Sequence, residues 1–149
     1  MSIGEDIQQA RFESEFHKAA VNILFTGGWL HHINAGHLKK HHITPEQYNV
    51  LRILKGSHPD AMRLLDITSR MIDKNSNCTR LVEKLRAKGL VSRELCENNR
   101  RQVDIGITAK GLNLLKKIEQ EGPAWKTAMK TLNKKEAEEL NRLLDKLRG

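Results

Sequence analysis

The hydrophobic pattern is clearest between residues 75 and 108. Four apolar residues there are spaced i, i+3, i+4 and i+7 and predict one amphipathic helix: Cys78, Leu81, Val82 and Leu85. Polar and cationic side chains fill the positions that we expect to face solvent: Ser76, Asn77, Thr79, Arg80, Glu83, Lys84 and Arg86. Gly89 follows at the position where a glycine in the left-handed conformation commonly ends a helix.

Two strands joined by a polar turn are predicted after this helix. Residues 90–95 alternate roughly as a strand does, and apolar residues alternate cleanly with small or polar ones from Val103 to Thr108. Residues 97–101 lie between the strands and place Arg100 and Arg101 at the tip of the hairpin. A helix followed by a hairpin with a basic tip indicates a winged helix-turn-helix.

The region before residue 44 predicts one helix and a loop. Residues 5–34 keep an approximately helical spacing of apolar side chains, and Gly27–Gly28 is a place where this helix can bend. Residues 35–42 are polar and predict a loop or a frayed helix end. A long helix near the terminus usually packs on a distant part of the chain or on another chain.

Two helices are predicted between residues 44 and 71. Thr44 can cap the first of them, and Gln47 stands where a capping-box partner belongs. A short helix follows at about residues 62–71, and the turn after it leads into the helix described first, so the order is that of a helix-turn-helix. Either Asp73 or Asn75 is expected to cap the helix after that turn.

The C-terminal part predicts three helical segments. They cover about residues 108–121, 124–131 and 134–147, and leucines mark the apolar side of the last one. Gly122–Pro123 interrupts the first two.

The charge of the chain favours a polyanionic partner. The formal net charge is +8 over 149 residues, a length that fits one domain. From Lys74 to Arg101 there are eight Lys or Arg residues and three Glu. Aromatic residues make up only 4% of the chain, which argues against a single-strand binder, because such proteins need stacking platforms.

Cysteine usage and hydropathy predict a cytoplasmic protein. Two cysteines, Cys78 and Cys96, give no disulfide framework and favour a reducing compartment. Cys78 lies on the apolar helix face and is expected to be a small core residue. The N-terminus has no apolar stretch typical of a signal peptide, and no segment approaches the roughly 20 apolar residues of a membrane span.

Three segments resemble the MarR family (multiple-antibiotic-resistance regulators), which are bacterial winged-helix transcription factors. They are TPEQYNVLRIL at 44–54, NCTRLVEKLRAKGLVSR at 77–93 and NRRQVDIGITAKG at 99–111. The family wing usually has Asp-x-Arg, whereas here Asn99 precedes Arg101 by two residues. Asn can orient that arginine only by a neutral hydrogen bond.

The resemblance implies a single MarR-like domain over residues 1–149, mainly α with a small β-hairpin wing. Residues 5–34 and 110–149 would form the helical dimerisation region, and residues 44–108 the winged helix-turn-helix that binds DNA. It further implies a homodimer that binds a pseudo-palindromic promoter operator, and a repressor that is released by a small amphipathic or anionic aromatic effector.

Seven residues are predicted to contact double-stranded DNA. Asn77 and Arg80 are the expected base readers, because an amide can pair bidentately with adenine and a guanidinium with guanine. Ser76 and Thr79 would touch bases or phosphates, and Lys84 a phosphate. Arg100 and Arg101 would enter the adjacent minor groove, whose width and negative potential arginine recognises.

The sequence leaves two alternative functions open and argues against an enzyme. A winged helix can be a protein-interaction module, and a cluster of His31, His32, His37, His41 and His42 would suit a metal-responsive regulator. No Cys, Asp or Glu lies between Glu15 and Glu46 to complete such a metal site, so none is predicted. The chain has no phosphate loop, HExxH or GxSxG motif, and we expect no enzyme, no catalytic residue and no cofactor.

Overall fold

Eight helices and three short strands make up the described part of the chain. The computed structural model describes the backbone of residues 1–96 and 99–149, and the side chains of residues 1–95 and 102–149. In chain order the elements are α1 (Ile3–Asp6), α2 (Glu15–Lys39), α3 (Pro45–Ser57), β1 (Met62–Arg63), α4 (Leu64–Arg70), α5 (Cys78–Ala87), β2 (Val91–Cys96), β3 (Asn99–Ile107), α6 (Ala109–Glu121), α7 (Ala124–Met129) and α8 (Lys134–Arg148). The predicted fold class, mainly α with a small β-hairpin, is confirmed.

The chain divides into two compact units. One contains residues 1–34 and 123–149, and the other contains residues 35–122. The second unit holds the main hydrophobic core, to which α3 to α6 and the sheet all contribute buried side chains. Among the described residues no helix is long and apolar enough to cross a membrane.

The N-terminal region differs from the single helix predicted for residues 5–34. It forms the short α1 and the 25-residue α2, with a break between them. Gln8 has a φ of 53°, which a helix cannot include, and the Ser14 hydroxyl accepts a hydrogen bond from the His17 amide at 3.1 Å. Ser14 therefore provides a new helix start.

The loop or frayed helix end predicted for residues 35–42 is wrong for residues 35–39, because α2 continues to Lys39. Leu38 is completely buried in the core of the second unit. Burial of this side chain stabilises the last turn of α2 more than Gly36 weakens it.

Strand β1 was not predicted. It pairs antiparallel with β3, with Met62 opposite Ile105, so β3 lies between β1 and β2. Two residues are too few to show an alternating pattern, and β1 is defined by its pairing with β3. The predicted hairpin is confirmed, with Val91 opposite Ile107, but β3 already begins at Asn99, so Arg100 and Arg101 belong to this strand and not to the turn predicted for residues 97–101.

The predicted start of α3 is confirmed. Thr44 and Gln47 form a capping box, in which each side chain bonds the backbone amide of the other residue at 3.1 Å. Because both partners lie within one helical turn, the sequence motif alone is enough to specify the geometry.

The end of α5 and the start of α6 are packed against each other at two glycines. Gly89 has a φ of 72°, which confirms the predicted left-handed helix end. The Thr108 hydroxyl donates to the Gly89 carbonyl at 2.7 Å and accepts from the Gly111 amide at 3.1 Å. A Cβ at Gly111 would lie 2.4 Å from the Leu90 carbonyl oxygen and 2.7 Å from Cγ1 of Ile107. Only a glycine fits there.

Replacing Gly111 with alanine should therefore destabilise the protein. We expect Gly111→Ala to lower the free energy of unfolding by about 1–3 kcal/mol, because backbone and core side chains must move apart. Gly56→Ala is the matched control, since a Cβ at Gly56 in α3 meets nothing within 4 Å. That substitution should be neutral or stabilise by up to about 1 kcal/mol. Urea unfolding followed by circular dichroism at one protein concentration measures both, and equal stability of the two variants would contradict the packing.

Ion pairs join the turn after α2 to the end of α6. Glu121 Oε2 lies 2.9 Å from His41 Nε2 and 3.0 Å from Lys40 Nζ. The hydrogen bond from His41, together with that from Lys40, lowers the pKa of Glu121 from 4.5 to about 2. The carboxylate thus favours the folded state at any pH above its unfolded pKa, and this contribution is lost as the pH falls through 4.5 towards 2.

Glu121→Gln should remove this part of the acid sensitivity. We expect the stability difference between wild type and Glu121→Gln to shrink as the pH falls from 4.5 to 2, because the wild-type carboxylate takes up its proton in that range. Unfolding midpoints measured in a pH series give this difference. A difference that does not change with pH would show that the ion pairs do not act in solution.

Candidate nucleic-acid interface

The predicted apolar face of α5 is confirmed. Cys78, Val82 and Leu85 are buried in the core of the second unit, and Leu81 packs against it half-buried. Cys78 is thereby a core residue, as predicted. Burial of this face determines which side of α5 points outward, so Thr79, Arg80 and Lys84 are exposed.

Asn77 caps α5, and neither Asp73 nor Asn75 does. Its side-chain oxygen accepts a hydrogen bond from the Arg80 amide at 3.1 Å. The Asp73 carboxylate instead accepts from the Asn75 amide at 2.9 Å, which tightens the preceding turn. Bidentate pairing of Asn77 with adenine would need the oxygen that forms the cap. The side-chain NH₂ is the group that Asn77 can offer to DNA while the cap is kept.

Ser76 does not lie on the exposed helix face, where the sequence pattern placed it. It precedes the first residue of α5 and is half-buried. Its hydroxyl oxygen is buried and has no hydrogen-bond partner among the described residues. The sequence pattern placed Ser76 and Asn77 inside the helix, whereas α5 begins at Cys78. The exposed position predicted for Ser76 is wrong for this reason.

Exposed cations on α5 fall into two groups. Arg80 and Lys84 form no ion pair with any residue whose side chain is described. Arg86 Nη2 lies 3.2 Å from one oxygen of Glu83, and Nη1 of Arg93 on β2 lies 2.6 Å from the other. The hydrogen bond from Arg86, followed by that from Arg93, lowers the pKa of Glu83, so this carboxylate is ionised at neutral pH.

Other basic residues of this region bond the protein's own backbone. The Lys74 ammonium donates to the Ser69 carbonyl, and the Lys88 ammonium donates to the His42 carbonyl. Their charges help to stabilise the turn before α5 and the loop before α3. These contacts join residues up to 46 positions apart and leave no periodic signal in the sequence.

The tip of the wing lies outside the described residues. Strands β2 and β3 are paired up to Cys96 opposite Asn99. Residues 97 and 98, and the side chains of Asn99, Arg100 and Arg101, are not described. The same holds for the thiol of Cys96. The minor-groove contacts predicted for the two arginines therefore stay predictions.

The histidine cluster does not form a metal site in the part of the chain that the structure describes. No group of three His, Cys, Asp or Glu side chains there could hold a metal ion. His41 is instead paired with Glu121, which belongs to α6. Nothing in this geometry supports the metal-responsive alternative.

Comparison with known proteins decides the family. The MarR family model matches residues 43–103. A MarR transcription factor from Planctomyces limnophilus is 32% identical, and the match covers 91% of this chain and 98% of that one, with a TM-score of 0.69. This chain belongs to the MarR family. Comparison with curated proteins found no match.

The fold of this MarR family protein is also similar to two solved protein–DNA complexes. One is a mutant MarR from E. coli with operator DNA, at a TM-score of 0.79 and 20% identity, covering 93% of this chain and 99% of that one. The other is the S. aureus MepR–DNA complex, with a TM-score of 0.74 and 21% identity. That match covers 92% of this chain and 97% of the MepR chain. Family membership makes the chain a DNA-binding transcription regulator with a winged helix.

Removal of the Asn77 cap should destabilise the candidate interface. We expect Asn77→Ala to lower the free energy of unfolding by about 0.5–2 kcal/mol, because the Arg80 amide loses its acceptor. Asn77→Asp keeps an acceptor, and its charge is favourable at a helix N-terminus, so it should be at least as stable as wild type. Thermal unfolding of the three proteins measures this order. If Asn77→Ala and Asn77→Asp have the same unfolding temperature, Asn77 is not the cap in solution.

Proposed function

We propose that this protein is a homodimeric repressor that binds a pseudo-palindromic operator in a promoter. The observation that carries the proposal is the outward face of α5. This helix is held by its buried side in the core, and it presents two exposed cations, Arg80 and Lys84, that pair with no described residue. A rigid helix with such a face fits the major groove.

Each contact has a separate proposed role. Arg80 binds guanine through its guanidinium, Thr79 contacts a base or a phosphate, and Lys84 binds a phosphate. Asn77 donates from its NH₂ while its oxygen keeps the cap. We assign Ser76 no direct contact, because its hydroxyl is buried.

The wing completes the proposed interface. Arg100 and Arg101 are assigned to the minor groove on the strength of their place in the hairpin sequence. Two relatives of the same fold were solved with DNA, which supports a duplex partner.

Exposed apolar side chains of the first unit support the homodimer. Helix α8 has a stripe of leucines at helical spacing, and α2 adds aromatic and aliphatic side chains that are at least 39% exposed in the single chain. These residues are Phe16, Ile23, Leu24, Phe25, Trp29, Leu140, Leu143 and Leu147. Apolar surface of this extent is unfavourable in water and is typical of an interface between subunits. Two copies related by a two-fold axis would present two α5 helices to the two halves of an operator.

Repression and release by a ligand complete the proposal. A dimer on a promoter blocks polymerase most simply by occupying its site. An anionic aromatic or other amphipathic effector would release it if that ligand binds the DNA-free conformation more tightly. Both parts rest on the family resemblance, and footprinting of the upstream region with and without such compounds tests them.

The roles of Arg80 and Lys84 can be separated by mutation. Arg80→Ala should cost about 1–3 kcal/mol on the preferred operator and relax the preference at one base pair, because a bidentate base contact is lost. Lys84→Ala should weaken all duplexes about equally and reduce the slope of log affinity against log salt by about 1. Electrophoretic mobility shift with operator and random duplexes at several salt concentrations measures both effects. If both variants bind like wild type, α5 is not the DNA-contacting helix.

A carboxylate in the α8 stripe should separate the subunits. We expect Leu143→Glu to shift the protein to monomer, since a charge would be buried without a partner. Lys135→Glu is the control, because it places the same side chain on the polar side of α8, where it should leave the dimer intact. Sedimentation velocity measures the oligomeric state of wild type and of both variants. A wild type that sediments as a monomer, or two variants that behave alike, would contradict the proposed interface.

A further inference from the structure

Glu83 joins the two elements proposed to contact DNA. One of its oxygens binds Arg86 on the same helix at 3.2 Å, and the other binds Arg93 on β2 at 2.6 Å. The carboxylate thus lies where α5 and the hairpin meet. Each of the three side chains is between 39% and 54% exposed, so a DNA duplex could reach all of them.

Position on the helix places Glu83 among the proposed contacts. It follows Arg80 by three residues and therefore shares its face of α5. An ionised carboxylate on this face repels the phosphate backbone, and it holds two guanidiniums that would otherwise be free to bind phosphates. The group of Glu83, Arg86 and Arg93 carries a net charge of +1, whereas the two arginines alone would carry +2.

We propose that Glu83 is a specificity-determining residue that restrains Arg86 and Arg93 and so limits binding to non-specific DNA. The inference rests on the proposed function and deepens it. Phosphate contacts add affinity for every sequence, whereas base contacts distinguish sequences. Restraint of two arginines leaves Arg80 as the free guanidinium of α5, so a larger share of the binding free energy depends on the bases.

Restraint of Arg93 also has a geometric effect. The side chain belongs to the strand that leads to the wing, and its bond to Glu83 holds that guanidinium against the recognition helix. An arginine fixed in this way contacts a phosphate only where the duplex fits both α5 and the hairpin. A duplex that fits poorly has to break the ion pair first, which is a penalty against the wrong site.

Glu83→Gln tests the proposal, and Glu119→Gln is a closely matched control. Glu119 on α6 also accepts from two cations, Arg52 at 2.6 Å and Lys55 at 3.0 Å, but it belongs to neither α5 nor the hairpin. Both variants change the net charge equally and free two cations. Affinities for promoter and random duplexes are measured over a range of salt concentrations, with unfolding curves to show that both variants are folded.

In Glu83→Gln we expect the slope of log affinity against log salt to steepen by about 1 to 2, because up to two more phosphates are neutralised. Affinity for random DNA should rise, and the ratio of promoter to random binding should fall severalfold. Glu119→Gln should leave slope and ratio close to wild type. Arg93→Gln should lower the slope by about 1 when added to Glu83→Gln, but by less in the wild-type background, because Glu83 there already holds that guanidinium. A purely structural role of Glu83 would give the same change in both backgrounds.

The possible results distinguish the role of Glu83 from DNA binding by the protein as such. If wild type prefers its promoter and Glu83→Gln matches Glu119→Gln in slope and ratio, the role of Glu83 is wrong and the proposed function stands. If wild type shows no preference for promoter over random DNA, both are overturned.

Discussion

Burial of one face of α5 is the constraint on which the rest of the structure depends. Cys78, Val82 and Leu85 enter a core to which α3, α4, α6 and the sheet also contribute. A rotation of α5 by a single residue would expose part of this stripe and bury a cation instead, which is unfavourable on both counts. The outward orientation of Thr79, Arg80 and Lys84, which we propose to contact DNA, is therefore a consequence of packing on the opposite side of the same helix.

Local interactions could be predicted from the sequence, and interactions between distant residues could not. The Thr44–Gln47 capping box and the left-handed Gly89 involve residues within one turn, so their side-chain types specify them. Strand β1 needs β3 as a partner, and the bond of Glu83 to Arg93 needs the hairpin to fold back on α5. Neither leaves a periodic trace. The Asn77 cap was missed for another reason, because Asp73, Asn75 and Asn77 are all good caps and only the turn geometry selects one.

The net charge of this protein does not show how many of its Lys and Arg side chains are available to an outside partner. The count of eight Lys or Arg residues from Lys74 to Arg101 favoured a polyanionic partner but did not show which of these cations are unpaired. Lys74 and Lys88 bond the backbone, and Arg86 and Arg93 share one carboxylate, so among the described side chains Arg80 and Lys84 are left for an outside partner. An outside partner would therefore meet fewer unpaired cations than the composition indicates, although Lys74 and Lys88 keep their charges.

The close approach at Gly111 has a mechanical consequence. The backbone of α6 lies so near the Leu90 carbonyl that no side chain fits between them, and the Thr108 hydroxyl bonds both sides of the junction. Since no flexible side chain separates the two backbones, we expect the first turn of α6 and the chain that ends α5 to shift together as one rigid segment, without a hinge at this junction.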